Sequence, residues 1–166
     1  VIAEYWADGP KSELPPGHWA LFAAFMSEKR NHTFDDDVKL FFALSNAIFD
    51  ASIATWESKL FYDYARPVTA IRHLLRGKKI RGWNGTAMSE VMGEAWRTYQ
   101  VPTFVTPPFP EYTSGHSGFS MAGAEVLRSF TGSDVFGGSY IQQVPLRVEP
   151  TMAVAVGIEL KWETFT

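Results

Sequence analysis

DDDVKLFFALSNAIFDASIATWESKLFYDY, residues 35–64, is the stretch on which the fold turns. Val38, Phe41, Phe42, Ser45, Ile48, Phe49, Ser52, Trp56 and Leu60 recur at the three- and four-residue spacing that lines one side of an α-helix. Asp35, Asp36 and Asp37 place a cap and negative charge where first-turn amides lack partners, so they mark a helix start rather than a metal cluster. The spacing predicts one long, largely buried helix ending near Ala65. Lys59 falls on the same side as Phe41, Ile48 and Ser52. A lysine there must reach out to solvent, pair with Asp63 at i+4, or meet an anion.

Working outward, Pro67 forbids continuation of that helix and pushes Arg66 out of the α region, while itself fitting the first position of a new helix, PVTAIRHLLRG, that stops at Gly77. Arg66 is therefore a corner residue. Residues 78–86 read as a surface turn, with Arg76, Lys78, Lys79 and Arg81 solvated. Residues 88–99 read as an amphipathic helix with Met88, Val91, Met92, Ala95 and Trp96 inward. Residues 101–113 hold too much proline for a regular element. Helix 115–131 has Ser114 as its N-cap and ends at Gly132. Upstream, residues 1–17 form an irregular lead-in to a short helix from His18 to Met26. The tail carries two short strands, around Tyr140–Val148 and Ala153–Leu160. Trp56, Trp83, Trp96 and Trp162 are expected in or beside the core. The fold class expected is all-α: a helical bundle in one domain, residues 1–166, with long loops at one end and a short β-hairpin near the C-terminus.

The composition is that of a globular chain, 46% hydrophobic and 20% charged over 166 residues, enough for one sizeable core. A net charge of -3 gives no long-range attraction to nucleic acid. The chain has no cysteine, which removes disulfides and CxxC metal or redox sites but leaves the compartment open, secreted and periplasmic included. No apolar stretch near 18 residues is expected, hence no membrane span. Homo-oligomerisation is left open.

Two polar groups intrude on apolar faces. Lys59 and Arg66 lie seven residues apart across the helix end, and an Arg fork with a Lys point charge suits a tetrahedral oxyanion. His116 lies on the stripe of Phe119, Gly123, Leu127 and Phe130, where a histidine is commonly just a satisfied core residue. Its place in the first turn points elsewhere. A helix start offers unpaired N–H groups and positive potential. Ser114 can donate its hydroxyl, Gly115 lets an oxygen approach the backbone, and His116 can give or take a proton. Small residues from Ser117 to Ala124 allow close helix contact.

Together, KLFYDYARP (Lys59 to Pro67) and PFPEYTSGH (Pro108 to His116) resemble two of the three signatures of the vanadium-dependent haloperoxidases and the related acid and lipid phosphatases. The first, Lys, six residues, Arg-Pro, fits throughout; the second has Thr113 where the family has Pro. The stretches DGPKSELPPGHW, SNAIFDASIATWESKLFYDYARPVTAIR and TPPFPEYTSGHS are similar to soluble bacterial haloperoxidases. The resemblance implies that Lys59 and Arg66 bind vanadate oxygens, that Ser114 and the Gly115 N–H bind others, and that His116 is the acid–base residue. It also implies that Lys59 polarises a bound peroxide, which halide attacks to give hypohalous acid. Phosphate can occupy the same pocket, so a soluble phosphatase acting on phosphate monoesters is an alternative, and a non-catalytic helical scaffold another. The third signature, Ser-Arg followed by Gly-x-His, is missing from these residues. Family order places it just after a segment similar to LKWETFT. The axial histidine is thus expected downstream of Thr166, in a C-terminal segment of the same protein, and residues 1–166 alone are expected to be a half-site with negligible turnover. Val1 in place of Met suggests an incomplete N-terminus as well. His18 is the remaining conceivable axial ligand, but its place in PPGHW offers nothing for that role.

Overall fold

The structure, a computed structural model, describes residues 1–9, 12–151 and 156–166. Along the chain run α1 (Ile2–Tyr5), α2 (Leu14–Arg30), α3 (Phe34–Tyr62), α4 (Pro67–Leu74), the strands β1 (Lys79–Trp83) and β2 (Met88–Met92), a 3-10 turn (Gly93–Ala95), α5 (Gly115–Thr131), β3 (Val135–Ile141) and β4 (Glu159–Thr164). Helix dominates, with four short strands paired as β1-β2 and β3-β4.

The chain divides into two compact units. One comprises Asp8–Ser58, Thr113–Tyr140 and Glu159–Thr166. Its core joins α2, α3 and α5 through Trp19, Ala23, Leu40, Leu44, Ile48, Ala124 and Leu127, with Phe22, Phe119, Phe130 and Phe165 packed against them. Thr33, not the aspartate run alone, caps α3: its Oγ1 accepts from Asp36 N, and the Asp36 carboxylate accepts from Thr33 N. This reciprocal pair is a capping box. α2 begins earlier and ends later than the span His18–Met26.

The buried edge of α3 is Leu40, Leu44, Ile48, Thr55 and Lys59. Val38, Phe42, Phe49, Trp56 and Leu60, all expected inward, are exposed, Phe42 by 72%. The helix is apolar on nearly every side, so periodicity could not select the buried face. For the same reason the expectation of no apolar stretch near 18 residues does not hold. The span Phe34–Leu74 contains a window of mean hydropathy 1.3, only 22% buried, which by length and composition alone is sufficient to cross a membrane. Core helices of larger bundles share that profile.

The other unit comprises Val1–Ala7, Lys59–Tyr112 and Ile141–Ile158. Here the expected surface turn at 78–86 and helix at 88–99 are instead an antiparallel hairpin, Ile80 facing Val91 and Trp83 facing Met88. Arg81 and Lys79 remain exposed, now on β1, and Lys79 pairs with Glu90 at 2.7 Å. The Asn84-Gly85 turn decides it. Asn84 Oδ1 accepts from Thr86 N at 2.8 Å and Ala87 N at 2.9 Å, and Gly85 takes φ +110°. An Asn-Gly turn is a stronger local signal than a five-residue apolar pattern that fits both periods. A Cβ on Gly93 would lie 2.0 Å from the Leu75 carbonyl oxygen, so the 3-10 turn meets the end of α4 backbone to backbone. α4 itself ends at Leu74, short of Gly77.

The strands expected at Tyr140–Val148 and Ala153–Leu160 are displaced. β3 starts five residues earlier, at Val135, and β4 runs to Thr164. Residues 153–155 of the second span lie outside the described residues.

Candidate active site

Pro67 starts α4, and Arg66 precedes it in extended conformation (φ -63°, ψ 148°), the corner the proline dictates. Lys59, at the end of α3, is 3% exposed. It neither reaches solvent nor pairs with Asp63. Its Nζ donates to the Pro110 and Glu111 carbonyl oxygens at 2.8 and 2.9 Å. Arg66 Nε donates to the Phe109 carbonyl at 2.7 Å. Both cations also lie on the Phe109 ring, Nζ 5.1 Å and Cζ 4.5 Å from its centroid. Burial, and then the Arg66 charge, hold the Lys59 ammonium below the ordinary lysine value, against the opposing pull of Glu111. Arg66 lines a cavity of about 530 Å³ together with Tyr64, Thr69, Pro108 and Phe109. A slightly larger cavity of about 590 Å³, bordered by Arg72, Arg97 and Arg147, includes neither Lys59 nor Arg66. Volume alone is therefore no guide to the chemistry here.

α5 starts as its residues dictate. Ser114 caps it, Oγ accepting from Ser117 N at 3.3 Å, and Gly132 closes it at φ +66°. Gly115 N–H, at the first helical position, meets no acceptor among the described residues, the condition for receiving an anion. A Cβ on Gly115 would meet only Phe119 Cε2 at an ordinary 3.6 Å, so packing does not demand glycine there. His116 is not a core residue: its side chain is 48% exposed, and its Nε2 lies 3.0 Å from Asp8 Oδ2, whose side chain is 2% exposed. A carboxylate on one ring nitrogen sets the tautomer and orientation of an imidazole.

The sequence-predicted residues thus form two sets, Lys59 with Arg66 in one unit and Ser114, Gly115 and His116 in the other. Their chemistry fits vanadate or phosphate. Among the described residues, two neighbouring cations have only neutral carbonyl oxygens as hydrogen-bond partners, and a helix start presents an open N–H. Sequence reasoning missed two neighbours of these residues: Phe109, which carries the two cations, and Asp8. His18, offered by the sequence only as a conceivable axial ligand, lies buried in α2 and faces Asp8 and Glu13. Asp8 is 108 residues from His116, and its one local signal is its position before Gly-Pro, where it adopts φ +46°.

No curated protein matches the chain by sequence. Among solved structures, a holo-type bacterial vanadium-dependent chloroperoxidase is similar with a TM-score of 0.77 and 25% identity, over 99% of this chain and 35% of that one. The apo-type bacterial vanadium-dependent chloroperoxidase is similar with a TM-score of 0.72 and 25% identity, over 90% and 33%. The chain spans about a third of the length of these relatives. Residues 39–166 match the family described as the VCPO second helical-bundle domain. Carrying that match over most of its length, the chain belongs to the vanadium haloperoxidase family.

Proposed function

We propose that this chain contributes the greater part of a vanadate site to a haloperoxidase that oxidises halide with hydrogen peroxide to hypohalous acid. The observation that carries the reading is the pair of cations, Lys59 and Arg66, held together with no carboxylate partner among the described residues. Such a pair costs free energy until an anion neutralises it. Vanadate, when bound, supplies a Lewis acid that activates peroxide without a change of metal oxidation state.

Each residue then has a definite task. Arg66, with Nε on the Phe109 carbonyl, offers its terminal nitrogens to oxyanion oxygens in a fixed fork. Lys59 spends two donors on the loop carbonyls and keeps the third for the guest. Ser114 Oγ and Gly115 N–H bind further oxygens. His116, oriented by Asp8, gives or takes the proton.

The test uses the full-length protein. Metal analysis after vanadate loading is run beside bromide oxidation with peroxide and hydrolysis of phosphate monoesters. Stoichiometric vanadium with bromide oxidation, both lowered by Arg66→Ala and by Ser114→Ala, is the expected result. Efficient ester hydrolysis with no halide oxidation replaces this reading by the phosphatase one.

A further inference from the structure

His18 is buried, yet the proposed chemistry does not use it. Its Nδ1 lies 2.9 Å from Asp8 Oδ1, on the same carboxylate whose other oxygen is 3.0 Å from His116 Nε2. Its Nε2 lies 3.5 Å from Glu13 Oε1. His18, Asp8, Glu13 and His116 all belong to one compact unit. A carboxylate removed from water needs partners on both oxygens, and here an imidazole stands at each. A ring-nitrogen lone pair 2.9 Å from a carboxylate oxygen would be repelled, which favours the tautomer with a proton on His18 Nδ1. The contact has ion-pair distance without the alignment of a linear hydrogen bond. The His18 ring also packs on Phe22, centroids 5.6 Å apart, which restricts its rotation. On the other side, Asp8 is anchored by a left-handed backbone conformation that few non-glycine residues hold.

We propose that His18 is a positioning residue for the acid–base histidine. By occupying Oδ1 it fixes the Asp8 carboxylate, and Oδ2 in turn holds His116 with its proton on Nε2. The kinetic consequence rests on the function proposed above; the tautomer consequence does not. The competing account is that His18 only fills space beside Phe22, in which case an aromatic ring of similar size would leave His116 undisturbed.

The experiment labels histidine with 15N in full-length protein and reads the ring nitrogens near neutral pH, with His116→Gln assigning the His116 signals. Wild type should show a protonated Nδ1 at His18 and a protonated Nε2 at His116. His18→Phe should turn His116 into a mixture of tautomers, and His18→Asn, which returns an N–H donor, should restore it. Asp8→Asn should abolish the preference, and His18→Phe added to it should change nothing further. In turnover, His18→Phe should lower kcat roughly tenfold, the scale of losing a group that orients an active-site ligand, with KM changed by less than about twofold. Unmoved His116 signals in His18→Phe overturn the proposal. Should that variant not fold, the wild-type spectrum decides: a His18 Nδ1 without a proton overturns it, and a protonated one supports it. Wild type lacking halide oxidation sinks the functional reading and leaves the tautomer result standing.

Discussion

Gly123→Ala tests how α5, which carries Ser114, Gly115 and His116, is seated on α2. A Cβ at position 123 would lie 2.4 Å from Trp19 Cδ2 and 2.5 Å from Cε3. Carbon atoms settle at about 3.5–4.0 Å, so the helices would have to part by about 1 Å or the indole turn away. Turning is costly, because Trp19 Nε1 donates to Ser120 Oγ at 3.3 Å and the ring meets Phe22 edge-on at 5.3 Å. Overpacking of this kind costs about 1–3 kcal/mol, and replacing a mid-helix glycine by alanine returns about 1 kcal/mol. With Trp19 Cγ also only 2.8 Å away, the cost falls in the upper part of that range, about 2–3 kcal/mol, so the net loss should be about 1–2 kcal/mol, a fall in Tm of about 2–8 °C for a chain this size. Gly115→Ala is the control on the same helix: its Cβ meets an ordinary contact at 3.6 Å, and stability should change by less than about 0.5 kcal/mol. Urea and thermal unfolding of the full-length protein, followed by circular dichroism, measure both. Gly123→Ala proving as stable as Gly115→Ala would refute the close approach of α5 to Trp19.

Lys59→Met leaves the Pro110 and Glu111 carbonyls without their donor and should destabilise by about 1–3 kcal/mol in denaturant titrations. Because the folded pKa of Lys59 is held below the ordinary lysine value, the unfolded chain binds the extra proton. Its contribution to stability should therefore rise as pH climbs through the lowered value, and the wild-type-minus-variant difference should grow as pH approaches about 10.5. Tyr99 donates to Glu149 Oε1 at 2.7 Å, which pushes its hydroxyl up to about 12. One tyrosine should thus ionise last in an ultraviolet titration, and Tyr99→Phe should remove that step. This group favours the folded state below about pH 10 and loses the benefit as pH approaches its raised value. Asn84→Ala removes the acceptor for the Thr86 and Ala87 amides and should cost about 1 kcal/mol, seen as faster hydrogen exchange across β1 and β2.

The parts of the site that are legible from residues alone are those whose cause lies within a turn of chain. Ser114 at the start of α5 and Gly132 at its end answer to backbone groups three or four residues away. Arg66 is a corner because Pro67 follows it. Lys59 could be placed inward because the helix around it is long enough to project. The hairpin at 79–92 was hidden because Met88, Val91 and Met92 satisfy a helical spacing as well as an alternating one, and the Asn84-Gly85 turn had to outweigh it.

Caps, corners and the run of helices follow from forces that act between near neighbours, and a single chain states those completely. Tertiary packing alone chose Leu40, Leu44 and Ile48 over Phe42 and Phe49 as the buried edge of α3, since both sets are apolar and only the neighbouring helices distinguish them. It alone brought Asp8 to His116 across 108 residues. Partners so distant in sequence leave no periodic or local trace, because the energy that joins them exists only once the chain has closed around both.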